Sequence, residues 1–180
     1  MSHEGRTELP PQEPMTVPAL WRLSLVRHAQ AENARPQQSD WDRELEPRGR
    51  RDTIEMGRRL AQRSTPPQRI LASSAARTLQ TARLLAGELG LDERLIQPDE
   101  GLYLASARQI LDIARTLGDE ARHLMIVGHN PGISEFACQL SSERGIEDLP
   151  TCAVCTLHFE LRHWSELEWG SGVQVEVDHP

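Results

Sequence analysis

The chain has 180 residues, of which 38% are hydrophobic and 26% charged, values typical of a soluble globular domain. Its net charge of -7 argues against broad nucleic-acid binding, which needs a basic face. All 20 basic residues are arginine, so neither a Schiff-base lysine nor a phosphate-loop lysine is available. No run of about 18 apolar residues occurs, so we expect no membrane-spanning helix and no membrane partner.

The N-terminal segment and the cysteines give two further indications from composition. Residues 1–18 are rich in proline and glutamate and lack the apolar core of a signal peptide, so we predict a mobile tail there, followed by a single domain over 19–178. Three cysteines, an odd number, favour a reduced, cytoplasmic setting. Cys152 and Cys155 have the spacing of a zinc motif, but on a strand they would face opposite sides, which disfavours a shared metal.

Apolar runs and helical patterns alternate along the chain. The predicted strands are 23–28, 69–73, 94–97 and 124–128, the predicted helices begin at 47, about 75, 106 and 130, and two or three strands follow between 151 and 177. Alternating β and α elements predict a three-layer α/β/α sandwich around a mostly parallel sheet.

Residues that begin and end helices support this assignment. Pro47 and Pro131 suit first-turn positions, and Ser74, Ser106 and Asn130 suit the N-cap positions of three helices. Gly90 and Gly118 suit the ends of the second and third helices.

Two histidines stand directly after predicted buried strands. His28 follows the run Leu23–Arg27, and His129 follows Leu124–Gly128. Ligand chemistry in open α/β sheets collects at the carboxyl ends of strands, so the two imidazoles are expected to meet in one pocket.

Two arginines complete a candidate phosphate site. Arg27 precedes His28, and Arg77 lies in the first turn of the helix that follows Ser74. Guanidinium groups bind phosphoryl oxygens bidentately, and helix N-termini favour anions. A neutral imidazole is a competent nucleophile near neutral pH. Arg27, His28, Arg77 and His129 therefore form a candidate phosphoryl-transfer site that needs no metal or other cofactor.

Three segments resemble the histidine phosphatase superfamily, the phosphoglycerate-mutase-like fold. They are Arg27-His28-Ala29, the stretch 73–82 that contains Arg77, and Val127-Gly128-His129-Asn130-Pro131-Gly132. The Arg-His-Ala variant, the Gly-His-Asn-Pro-Gly box and the short chain are most similar to the SixA-type phosphohistidine phosphatases. The resemblance spans roughly residues 23–161.

The resemblance implies a role for each site residue. His28 would be the nucleophile that becomes phosphorylated, Arg27 and Arg77 would bind phosphoryl oxygens, and His129 would steady the transition state. Glu100 lies where relatives place a glutamate and is the candidate general acid. The implied activity is a metal-independent phosphatase.

The sequence allows more than one kind of substrate. Larger members of the family that this chain resembles carry an inserted cap between the positions of Arg77 and His129, and few residues separate the two here. The resemblance therefore implies an open pocket and favours phosphohistidine on a protein partner. The alternatives are a small phosphate ester as substrate, or a phosphate-binding module without catalysis. Trp41, in the loop after the first strand, either rims the site or packs against the domain.

Overall fold

The computed structural model describes residues 20–63, 65–118, 120–142, 146 and 148–180. The tail predicted for residues 1–18 lies outside these ranges. Six strands form one sheet: β1 (Trp21–Arg27), β2 (Arg69–Ser73), β3 (Ile96–Asp99), β4 (His123–Gly128), β5 (Val154–Phe159) and β6 (Gln174–Asp178). Their order across the sheet is β3-β2-β4-β1-β5-β6.

The sheet is parallel over the part that carries the site. The pairs β1–β4, β2–β4 and β2–β3 are parallel, whereas β5 pairs antiparallel with β1 and β6 with β5. The mostly parallel sheet predicted from the sequence is therefore confirmed, and the region after residue 151 supplies two antiparallel strands.

In the part of the chain that the structure describes, four helices cover the two faces: α1 (Pro47–Arg63), α2 (Ala76–Glu88), α3 (Ala107–Leu117) and α4 (Gly132–Leu140). One buried apolar cluster contains Met56 of α1 and Leu85 of α2, and the other contains Ile110 of α3 and Phe136 of α4. Two helices thus lie on each face, which gives the three layers that were predicted. None of the helices in the described ranges has the length and apolar character needed to cross a membrane.

Most of the predicted helix ends are observed. Pro47 opens α1, and Ser106 forms a reciprocal capping box with Gln109 at the start of α3. Gly90 follows α2 at a positive φ of 67°, and Gly118 is the C-cap of α3. Cys155 lies on β5, whereas Cys152, predicted to be on the same strand, lies in the turn before it at a positive φ of 65°. The two side chains belong to opposite clusters.

Two predicted N-caps are wrong. Ser74 does not cap α2, because that helix starts one residue later with Ala75 at the N-cap position and no side-chain cap. Asn130 does not cap α4, whose N-cap is Pro131. The Asn130 side chain is engaged elsewhere, since it accepts a hydrogen bond from Ser134 Oγ (2.7 Å) and donates to the Asp148 carboxylate (2.5 Å).

Candidate active site

The carboxyl ends of β1, β2 and β4 meet at one edge of the sheet. Arg27 pairs with Gly128 in the register of β1 and β4, and the backbone N–H of His28 donates to the Gly128 carbonyl at 3.1 Å. The residues that directly follow β1 and β4 are His28 and His129, and their ring centroids lie 5.2 Å apart. The strand ends thus bring the two imidazoles together, as the sequence predicts.

The tautomer of His28 is fixed by its neighbours. Nδ1 donates to the Ala29 carbonyl oxygen at 2.8 Å, and Nε2 accepts from the Nε–H of Arg77 at 3.3 Å. Burial, together with the nearby charges of Arg77 and Arg27, lowers the pKa of His28 to about 4, against the raising effect of the Ala29 hydrogen bond. At neutral pH the ring is therefore uncharged and presents an Nε2 lone pair beside a guanidinium.

Arg77 is the centre of the site. It lies in the first turn of α2, with only 4% of its side chain exposed. Besides its Nε contact to His28, Nη2 lies 3.4 Å from Nδ1 of His129. One guanidinium thus bridges both imidazoles, and it does so at a helix N-terminus, which itself favours an anion.

His129 is held on its other side by Ser73, the last residue of β2. The two are joined by a 2.8 Å hydrogen bond between Nε2 and Oγ. Because Arg77 can only donate, Nδ1 of His129 accepts and Nε2 carries the proton. Burial, together with His28 and Arg77, lowers the pKa of His129 to about 3, against the raising effect of Asp40, so this ring is also neutral.

The loop after β1 returns to the site through Asp40. Its carboxylate Oδ2 accepts from Arg77 Nη2 at 2.8 Å, and its carbonyl oxygen accepts from Nη1 at 2.5 Å. Arg43 and Tyr103 donate to the same carboxylate, at 2.8 and 2.7 Å. These hydrogen bonds hold the pKa of Asp40 well below its usual range, so an ionised carboxylate lies against the arginine.

Two aromatic rings border the same cluster. The Tyr103 ring packs edge-on against His129, with centroids 5.4 Å apart, and Trp41 packs on Tyr103 at 4.3 Å. Both rings are half-buried. The segment that carries Tyr103 lies close to α4 because Gly132 has no side chain: a Cβ there would collide with the Ala105 carbonyl. Of the two alternatives for Trp41, the structure places it at the rim.

Arg27 lies beside the cluster, held from a different direction. Its Nη1 donates to the Leu149 carbonyl at 2.6 Å and lies 3.7 Å from the Asp148 carboxylate. Its Nε is buried and has no hydrogen-bond acceptor in the described part of the chain. A buried donor without a partner is costly, and an anionic ligand could satisfy it.

Glu100 is placed apart from these groups. It follows β3 in a short 3-10 turn, Glu100–Leu102, and it is exposed. Over the ranges that the structure describes, no hydrogen bond or ion pair links its carboxylate to Arg27, His28, Arg77 or His129.

Sequence reasoning missed three polar members of the site, namely Ser73, Asp40 and Tyr103. Ser73 ends a predicted strand, so its position at the sheet edge was a usable signal. Asp40 and Tyr103 lie in irregular segments far apart in the chain, and no periodic pattern predicts that they meet.

The comparisons with known proteins agree with this geometry. The family model of the histidine phosphatase superfamily (branch 1) matches residues 23–103. The uncharacterized protein Rv1276c of Mycobacterium tuberculosis is 31% identical over 151 residues, covering 79% of this chain and 92% of that protein.

Solved structures show the same fold. A candidate phosphohistidine phosphatase SixA from Agrobacterium tumefaciens is 25% identical, with a TM-score of 0.74 over 89% of this chain and 99% of that one. The protein histidine phosphatase SixA complexed with tungstate has a TM-score of 0.74 at 17% identity, over 88% of this chain and 96% of that one. By the family match, the relative and the fold, the chain belongs to the histidine phosphatase superfamily and is SixA-like.

Proposed function

We propose that this phosphatase hydrolyses phosphohistidine on a protein partner through a covalent phosphohistidine intermediate on His28, without a metal. The observation that carries the proposal is the neutral His28 ring, whose Nε2 lone pair faces the Arg77 guanidinium at 3.3 Å. An unprotonated imidazole beside a phosphate-binding group is what phosphoryl transfer to a histidine side chain requires.

The reaction would run in two displacements. Nε2 of His28 forms a bond to phosphorus while the bond to the leaving group breaks, and the leaving atom takes that electron pair. When the substrate is a phosphohistidine whose other ring nitrogen carries a proton, the leaving group is a neutral imidazole. Water next forms a bond to phosphorus, the bond to Nε2 breaks, and its electron pair returns to the His28 ring with release of inorganic phosphate.

The remaining residues would stabilise the transferred group. Arg77 and the unpartnered Nε–H of Arg27 would bind phosphoryl oxygens, and His129 would donate from Nδ1 once the anion has raised its pKa. Two guanidinium groups supply the positive charge that a metal ion provides in other phosphatases. Glu100 stays a candidate proton donor only for leaving groups that need one.

A protein substrate is supported by the short connection between Arg77 and His129. This connection contains the rest of α2, then β3 with a 3-10 turn on either side of it, then α3 and β4. In the described ranges it contains no additional helix pair that could cover the site. A small-ester phosphatase is the second candidate, and a non-catalytic phosphate-binding module is the third.

The test is a rapid acid and alkali quench in the presence of EDTA. After brief incubation with a ³²P-labelled phosphohistidine protein, we expect acid-labile, alkali-stable label on the wild-type chain and none on His28→Ala. Label on another residue type, or turnover that returns only with added metal, would contradict the mechanism. Rates on phosphohistidine protein and on sugar phosphates then separate the two enzymatic candidates, and vanadate binding without turnover would identify the binding module.

A further inference from the structure

The two aromatic rings at the rim have no role in the phosphoryl chemistry described so far. Trp41 and Tyr103, here called the aromatic shelf, lie 4.3 Å apart between centroids with an interplanar angle of 48°. They come from segments more than sixty positions apart in the chain. Both are half-buried, so part of each ring faces solvent.

The shelf is tied to the phosphate-binding groups. The Tyr103 ring contacts His129 edge-on, and the guanidinium carbon of Arg77 lies 5.9 Å from the Tyr103 centroid. Asp40 connects the two parts, since it accepts from Tyr103 Oη and from Arg77 and is followed directly by Trp41. The position of the shelf is therefore fixed relative to His28 and Arg77.

In-line displacement determines where the leaving group must lie. The leaving atom stands opposite the attacking atom across phosphorus. Tyr103 lies against His129 and near the Arg77 guanidinium, and Trp41 packs on Tyr103, so we expect a leaving group opposite His28 to lie within reach of these two rings.

We infer that the aromatic shelf binds the leaving group and selects a planar aromatic ring, the imidazole of phosphohistidine, over an alkyl chain. This inference rests on the proposed function, because it names the part of that site that recognises the leaving group of the substrate. Flat rings stack on tryptophan and tyrosine with a preference of about two- to tenfold beyond simple burial. An alkyl alcohol gains no such stacking, and phosphoramidate, whose leaving group is ammonia, has the same P–N bond without a ring.

Two matched pairs of compounds test this. The first pair is turned over: free phosphohistidine and phosphoramidate, compared by kcat/KM. The second pair is only bound: phenylphosphonate and methylphosphonate, compared by calorimetric Kd. Each pair differs mainly in the ring, so the ratio within a pair isolates what the shelf contributes.

The variant is Trp41→Leu, and the control is Trp169→Leu. Trp169 is surface-exposed (39%) and contacts an aromatic ring, Phe136, in an edge-to-face arrangement, but it lies in the loop before β6. We expect Trp41→Leu to lower both ring-to-no-ring ratios about two- to tenfold, and Trp169→Leu to leave both unchanged.

Each outcome separates the inference from the proposed function. Turnover with a preference for the ring compound that Trp41→Leu removes would support the shelf and the proposed reaction. A preference for phenylphosphonate in binding, without turnover, would contradict the proposed phosphatase reaction and support the shelf. Turnover in which wild type and Trp41→Leu show equal ratios would overturn the shelf and keep the reaction.

Discussion

Asp40 engages both terminal nitrogens of Arg77, one through its carboxylate and one through its backbone carbonyl. The arginine that would bind a phosphoryl group is thus held by an anion belonging to the chain itself. That anion keeps the guanidinium in place beside His28, and it also places a negative charge where a phosphate dianion would bind.

Asp40→Asn is therefore expected to tighten the binding of inorganic phosphate by about two- to fivefold. The amide oxygen can still accept from Arg77, while the charge that repels the dianion is gone, and the side chain is 44% exposed, which limits the effect. Phosphate inhibition of turnover gives the measurement. Asp42→Asn, in the same turn with an exposed carboxylate, is the control. Weaker phosphate binding in Asp40→Asn alone would show that positioning of Arg77 outweighs repulsion.

Arg77→Lys is expected to lower kcat/KM by about ten- to a hundredfold. A lysine keeps the charge, but a single ammonium group cannot span His28, His129 and Asp40 as the planar fork does. The control is Arg83→Lys on the same helix, whose side chain is exposed and forms only a 3.9 Å ion pair with Glu93. Near-normal kcat/KM in Arg77→Lys would mean that charge alone is sufficient.

Ser73→Ala is expected to lower kcat by about two- to tenfold with a smaller change in KM. The hydroxyl fixes the orientation of His129 through a 2.8 Å hydrogen bond, and such a bond contributes about 0.5–1.5 kcal/mol. Ser74→Ala is a close control, because Ser74 makes no helix cap. Equal steady-state parameters for the two variants would contradict the orienting role.

The parts of the site that the sequence predicted are those that regular structure places. A strand followed by His28 or His129, and a helix whose first turn contains Arg77, fix the backbone positions of these residues through hydrogen-bond ladders and apolar burial. The same patterns predicted the three layers and most of the helix ends.

The other contacts of the site depend on how irregular segments fold back onto the edge of the sheet. Asp40 reaches Arg77 only because the loop after β1 crosses the sheet edge, and Tyr103 reaches His129 only because Gly132 permits close approach of its segment. The predicted Asn130 cap is wrong for a related reason, because its side chain has other partners in the tertiary structure. Local sequence does not encode these competitions.

Sulfate binding is expected to strengthen as the pH falls from about 7 to about 5. Sulfate stays a dianion over this range, so the ligand itself takes up no proton. In the free protein the pKa values of His28 and His129 lie at about 4 and about 3, and both rings are neutral. A bound dianion favours the protonated imidazole and raises these pKa values, so binding takes up protons.

Calorimetry in buffers of different ionisation enthalpy measures that uptake directly. The affinity should rise by at most about tenfold per pH unit for each proton taken up. His129→Gln should bind sulfate with a smaller pH dependence than the wild type. Proton release, or an affinity that does not change with pH, would show that neither imidazole responds to the anion.

Glu100→Gln tests the proposed general acid. If the carboxyl group protonates the leaving atom, loss of the proton should harm alkyl phosphates most, because alkoxides are poor leaving groups. Aryl phosphates and phosphohistidine leave more easily and should be affected much less. Glu100 is exposed beyond β3 and, over the described ranges, forms no hydrogen bond or ion pair with the four pocket residues. We therefore expect Glu100→Gln to hydrolyse all three substrate classes at rates within about twofold of the wild type.

The two results have different consequences for the substrate. A selective loss on alkyl phosphates would bring Glu100 into the mechanism and favour a small-ester phosphatase, since only such substrates need the proton. Unchanged rates would leave Arg27, His28, Arg77 and His129 as the catalytic set. A site without a resident acid can act only on leaving groups that depart unaided or already protonated, and the imidazole of phosphohistidine is such a group.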